Sequence, residues 1–203
     1  MPESRSAQVV VLAGPSGAGK SRLAERTGLP ILRLDDFYKD HDDPTLPCTD
    51  LGGGSTLVDW DDPASWRLDE ALAAIESLCT AGECDVPSYD IATSSRTGHR
   101  VLRLGEATHG VAEGIFAQEV VAGCRERGLL ADAFCVTQHS ALTALRRLIR
   151  DLREHRKPPV VLLRRGLHLW RRHGSVVREA AARGCRVVSA DEAYAAIREL
   201  RSR

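Results

Sequence analysis

The chain has 203 residues, enough for one well-filled core and short for two. Hydrophobic residues make up 43% and charged residues 28%, a composition that excludes general disorder. The 28 Lys and Arg are matched by 28 Asp and Glu, so the overall field argues against a nucleic-acid partner and any basic site must be local.

No apolar run approaches the roughly 18 residues that span a bilayer, and the opening "MPESRSAQ" lacks the basic-then-apolar order of a secretory signal. The expectation is a cytoplasmic protein with no membrane partner. The six cysteines, Cys48, Cys79, Cys84, Cys124, Cys135 and Cys185, include no CxxC pair. They read as reduced thiols, with Cys135 and Cys185 in strands, rather than as a zinc site or a disulfide scaffold.

In chain order, Val9 to Ala13 is an all-apolar run, the mark of a strand buried on both faces of a parallel sheet. Lys20 to Arg26 reads as a short helix closed by Gly28, and "LPILRLD" as a second apolar run ending in acid. Residues 39–59, rich in Asp, Gly, Pro and Thr, read as loop, with "LGGGST" at the centre. In "WRLDEALAAIESL" the residues Leu68, Ala71, Leu72, Ile75 and Leu78 fall on one helical face, and Gly82 ends the helix. "DVPSYD" is extended or turn, and "SRTGHRVLRL" reads as a small hairpin about Thr97 and Gly98.

Beyond it come a strand at "THGVAEG", a helix from Gln118 to Arg127 and a strand at "AFCVTQ". A long helix from Ser140 to His155, a strand "VVLLR" and a helix through "HLWRRHGSVVREAAARG" follow, the last with Trp170 as a packing residue. A strand "CRVVSA" and a helix "DEAYAAIREL" close the chain. Strands alternate with helices, which predicts an α/β fold: a mainly parallel central sheet with helices on both faces. The reading is a single domain over residues 1–203.

"GPSGAGKS" satisfies GxxxxGK[ST] through Gly14, Gly19, Lys20 and Ser21, between a predicted strand and a predicted helix. Glycines let the backbone wrap a polyphosphate with successive N–H groups turned inward, and the following helix points its positive end at the same anion. Ser16, Gly17, Ala18 and Gly19 would supply the cradle, Lys20 would reach the β and γ phosphates, and Ser21 would ligate Mg²⁺. The chain lacks the guanine-reading NKxD, and the DxxG at Asp50 to Gly53 lies in the polar loop, which argues against a regulatory GTPase.

Asp35 and Asp36 end the second apolar run, where ligands bind in an open parallel sheet. A carboxylate there can accept a hydroxyl proton or hold the metal, although a solvated N-cap pair is the plain alternative. "LTALRRLIRDLREHRK" carries an apolar stripe of Leu142, Leu145, Leu148, Ile149 and Leu152. Beside it runs a basic stripe of Arg146, Arg147, Arg150, Arg153 and Lys157. This is either a solvated basic face or a lid whose guanidinium groups close over a triphosphate.

"GPSGAGKS", "LDDFYKD", "DWDDP", "VPSYDIATSSR", "AEGIF" and "RRLIRDLREHR", in that order, resemble the uridine kinase family of P-loop nucleoside kinases over about residues 8 to 157. The resemblance implies an ATP- and Mg²⁺-dependent kinase for a small-molecule hydroxyl, a nucleoside 5′-hydroxyl first of all. It implies Asp35 as general base, with Phe37 and Tyr38 as the aromatic pair after it. It further implies Asp61 on the ribose hydroxyls, and Tyr38, Tyr89 and Arg96 in the acceptor pocket. Glu113 would join Ser21 and Asp35 around the metal, with Lys20 and Arg150 catalytic and Arg146 and Arg147 on the nucleotide.

The lid would span about 143–157 and the acceptor-side insertion about 40–105. Ser94 stands where the family has a base-contacting histidine, and Thr143 where the lid has an arginine. Those departures keep open another acceptor, such as pantothenate or a sugar phosphate, and a non-catalytic ATP-binding module. His109 reads as structural, and the joint "VVSADEA" lies at the adenine edge by position in the fold.

Overall fold

A computed structural model of the protein describes residues 7–50, 56–137 and 174–202. Its centre is β1 (Gln8–Ala13), whose residues Val9 to Ala13 are fully buried. The run is apolar throughout because both faces are covered. Val9 and Val11 enter one core cluster, while Val10 and Leu12 enter the other.

β1 is flanked by β7 (His109–Glu113) and β8 (Leu130–Val136), and among the described residues the edges are β2 (Ile31–Arg33) and β9 (Arg186–Val188). The order is β2-β7-β1-β8-β9, with every pairing parallel. One face is packed by α2 (Leu68–Ala81), α3 (Val120–Glu126) and α4 (174–182), through Ala71, Ile75, Leu78, Val120, Val121 and Ala180. The other is packed by α1 (Lys20–Thr27) and α5 (Ala190–Arg201), through Leu23, Ala24, Ala193 and Ile197. The expected α/β architecture is thus present. Among the described residues no helix is long and apolar enough to cross a membrane.

Local signals explain the helix limits. Gly28 and Gly82 take left-handed conformations at the C-caps of α1 and α2. Ser189 and Glu192 form a reciprocal capping box at the start of α5.

Several elements differ from the expectation. Residues 39–59 are not all loop, because β3 (Cys48–Asp50) and β4 (Thr56–Val58) pair as a small antiparallel hairpin. Thr97 and Gly98 are not a turn: they lie inside β6 (Ser95–Arg103), which pairs along its length with β5 (Glu83–Asp90). The chain reverses instead over 91–94, where the Asp90 carboxylate accepts from Ala92 N and Thr93 Oγ1 and Ser94 takes a φ of 50°. A carboxylate that satisfies turn amides competes well against a glycine whose freedom the strand does not need.

The segment predicted as a helix from Gln118 begins as a 3₁₀ turn over Ala117–Glu119 before α3. Cys185 lies just before β9 rather than in it, while Cys135 is in β8. All six thiols are free and all but Cys48 are buried. Burial pushes Cys79 and Cys84 up to about 11, and Cys124 and Cys185 up to about 12. They are packing residues and not nucleophiles.

Candidate active site

The loop after β1 owes its path to glycine. Gly14 has a φ of 127° and packs so tightly on the end of β8 that a Cβ would lie 2.5 Å from the Val136 carbonyl oxygen. Gly17 and Gly19 are also left-handed, at 81° and 90°, and Ala18 N closes a turn onto Pro15 O at 3.1 Å. Ala18 and Lys20 are buried within it. Lys20 Nζ donates to Gly14 O at 2.8 Å and to Pro15 O at 3.3 Å, so the ammonium is held inside the loop. The first turn of α1 carries no acid of its own. Gly14, Ser16, Gly17, Ala18, Gly19, Lys20 and Ser21 together line a glycine-rich loop that could hold phosphate oxygens.

Ser21, in the first turn of α1, donates from Oγ to Glu113 at 3.1 and 3.2 Å. Glu113 ends β7, is 6% exposed, and has its pKa raised, first by burial and then by the charge of Asp35. Lys20, the Ser21 hydrogen bond and Arg33 oppose the rise. A hydroxyl and a carboxylate are the hard oxygen donors that Mg²⁺ takes, so this pair fits the metal shared with a bound triphosphate.

Asp35 lies in the 3₁₀ turn Leu34–Phe37 that follows β2. Its Oδ1 accepts from Ile115 N at 2.8 Å, and Oδ2 has no partner among the described residues. Gly114 permits that bond, since a Cβ there would lie 2.7 Å from Asp35 Oδ1 and 2.9 Å from Leu34 Cβ. Leu34 and Phe37 anchor the turn in the core, which fixes the carboxylate.

Near Asp35 in the chain, Tyr38 packs against Trp60, Tyr89 and Phe116, with ring centroids 6.0, 5.8 and 5.8 Å away. Its hydroxyl donates to Trp60 O at 3.2 Å. Asp61 follows Trp60, in a turn where its N–H donates to Asp59 Oδ1 at 3.0 Å. The β5–β6 hairpin is docked on residues 39–41: Tyr89 Oη donates to Lys39 O at 3.2 Å, Arg96 N to Asp40 Oδ1 at 2.6 Å, and His41 N to Ser94 O at 2.8 Å. Burial raises the Tyr89 pKa.

Arg96 directs its guanidinium to Glu70 on α2 at 2.7 Å, and Arg67 bridges Glu70 to Asp43. Arg96 therefore fastens the hairpin to the core. Beside Tyr89 opens a cleft of about 430 Å³ lined by Ile31, Arg33, Asp36, Ser88, Tyr89 and Arg100.

The parallel order, the glycine loop after β1 and the carboxylates after β2 and at the end of β7 now stand together. The fold, a parallel five-stranded sheet with helices on both faces, is shared with a solved structure described as that of a kinase. A candidate fructose transport system kinase from a Silicibacter species superposes with a TM-score of 0.62 at 17% identity, over 93% of this chain and 90% of that one. A candidate uridine kinase from Bacillus stearothermophilus has a TM-score of 0.46 at 15% identity, over 70% of this chain and 76% of that one.

No known family's sequence profile matches the chain. Two curated Arabidopsis thaliana proteins do: Inorganic pyrophosphatase TTM1, 29% identical over 158 residues, and Inorganic pyrophosphatase TTM2, 28% identical over 158 residues. Each match covers 74% of this chain. The chain spans about a fifth of those relatives, 22% and 21% of their lengths.

Of the residues singled out from sequence, Asp35, Glu113, Ser21 and Lys20 come together, and Tyr38 and Tyr89 are in contact. Arg146, Arg147 and Arg150, with the rest of the proposed lid, lie outside the described residues. Sequence reasoning missed Trp60 and Phe116 as partners of Tyr38, although both stand inside quoted motifs. It also missed Gly114 and the Ile115 amide, which position Asp35; the only signal was the glycine in "AEGIF".

Proposed function

We propose that the protein transfers the γ-phosphoryl group of ATP to a hydroxyl of a small molecule. The observation that carries this reading is the joining of Ser21 to Glu113 beside an Asp35 carboxylate held on one oxygen by Ile115 N.

Mg²⁺, when bound, neutralises charge on the phosphates and would be held by Ser21 and Glu113, with Asp35 beside them. Gly14 to Ser21 hold the nucleotide, and Lys20 supplies positive charge where negative charge develops. Asp35 receives the acceptor's hydroxyl proton. As the acceptor oxygen bonds to the γ-phosphorus, the bond from that phosphorus to the β,γ-bridging oxygen breaks, and ADP leaves with its electron pair. Tyr38 and Tyr89, backed by Trp60 and Phe116, exclude water and orient the acceptor, with Asp61 on its sugar side and Arg96 holding in place the hairpin that carries Tyr89. In this reading Arg146, Arg147 and Arg150 close over the phosphates, Arg150 on the transferring group.

The resemblance makes a nucleoside 5′-hydroxyl the first acceptor to try. The test is ADP formation from Mg²⁺-ATP over a panel of ribonucleosides, pantothenate and pentose phosphates, beside Asp35→Asn. Turnover with one acceptor, lowered about 10² to 10⁴-fold in the variant, is the expected result. ATP binding without turnover on any acceptor would overturn the kinase reading in favour of a binding module. Phosphate release from pyrophosphate alone would instead assign the activity named in the Arabidopsis relatives.

A further inference from the structure

The cleft beside Tyr89 is charged in a way a neutral acceptor does not use. Arg33 ends β2 in register with Glu113, and its positive charge acts on both Glu113 and Asp36. It makes no ion pair with any described residue. Arg100, on β6, reaches Asp36 Oδ2 at 3.0 Å. Two guanidinium groups thus face one carboxylate, leaving an excess of one positive charge. The Ser88 hydroxyl, also on the wall, has no partner among the described residues. The volume, about 430 Å³, is that of a small-molecule site. Asp36 is the immediate neighbour of Asp35, so whatever occupies the cleft sits against the turn that carries the proposed base.

We infer that the acceptor carries a phosphate ester, and that Arg33 and Arg100 hold that phosphate while Asp35 faces a free hydroxyl of the same molecule. A guanidinium offers a planar fork of N–H donors matched to phosphate oxygens, and Ser88 adds a hydroxyl donor. Asp36 limits the attraction: it occupies Arg100 until a dianion competes for it. An uncharged nucleoside offers no anion to either arginine. This inference rests on the kinase reading above, and it narrows the acceptor to a hydroxyl compound already phosphorylated at another position.

The test is calorimetric binding of ribose 5-phosphate, ribose and inorganic phosphate, without ATP, to the wild type, Arg33→Gln and Asp36→Asn. Arg33 is exposed and unpaired among the described residues, so its variant should fold. The ester should bind where ribose does not, weaken about tenfold in Arg33→Gln and tighten in Asp36→Asn. A residue of purely structural role would not shift affinity in opposite directions in the two variants.

Equal binding of ribose and its phosphate, or an Arg33→Gln variant that binds the ester like wild type, would overturn the inference. So would inorganic phosphate binding as tightly as the ester, which would make the cleft a general anion site. The turnover arm separates the two readings. ADP formed with ribonucleosides but with no phosphorylated acceptor sinks the phosphate inference and leaves the kinase. Ester binding that depends on Arg33 with no ADP from any acceptor sinks the kinase and leaves the anion site.

Discussion

Ser21 Oγ spans both carboxylate oxygens of Glu113, at 3.1 and 3.2 Å, tying the first turn of α1 to the end of β7. The bond joins the helix that follows the glycine-rich loop to the strand that ends in Glu113. It also buries a carboxylate next to Asp35, and the cost of that burial is measurable.

Burial pushes Glu113 above the ordinary glutamate value of 4.5, so in that range the folded protein binds its proton more tightly than the unfolded chain does. The associated stability is fully present below the unfolded value and is lost as pH rises through the folded one. Glu113→Gln removes this loss while keeping an acceptor for Ser21. Without divalent metal, the variant should therefore be the more stable at neutral pH, with the difference closing below about pH 4. Urea unfolding across that range checks the sign, and a wild type that stays equal to the variant at neutral pH would refute it.

Gly114→Ala places a methyl group 2.7 Å from Asp35 Oδ1, so the carboxylate must leave Ile115 N. The turnover rate should fall about 100-fold, the scale set by ångström misplacement of a reacting group. ATP affinity, read with a fluorescent analogue, should hold, because the phosphate cradle is built from other residues.

Gly14→Ala meets two obstacles at once, a φ of 127° and the Val136 carbonyl at 2.5 Å. Backbone strain alone costs roughly 1–3 kcal/mol. Loss of stability in urea should be joined by weaker ATP binding, since the loop can relieve the clash only by leaving β8.

Ser189→Ala removes one half of the capping box at α5, where Ser189 Oγ accepts from Glu192 N at 3.3 Å. A stability loss of about 1 kcal/mol is expected. Because α5 packs the face under α1, kcat should be unaffected at temperatures where the variant is folded.

The glycine cradle was legible because one local pattern, an apolar run followed by GxxxxGK[ST], carries both the strand and the loop. The face of α2 was legible for the same reason, since 3.6-residue periodicity is written within fourteen residues. The hairpin turn was misplaced because Thr97 and Gly98 resemble a turn, whereas the reversal is made by Asp90 binding residues just ahead of it. The role of Arg96 was hidden, since its partner Glu70 is 26 residues away on a different element.

By itself, then, the sequence determined the alternating strands and helices, the phosphate loop, and the order in which acids arrive at strand ends. Those properties depend on neighbours in the chain. Only the tertiary structure decided that Ile115 N grips Asp35, that Gly114 must lack a side chain, and that Arg33 and Arg100 converge on one cleft. Each relates side chains from segments separated by tens of residues. Parallel pairing of β2 with β7, and the docking of the β5–β6 hairpin on residues 39–41, bring them together, and no local preference encodes that closure.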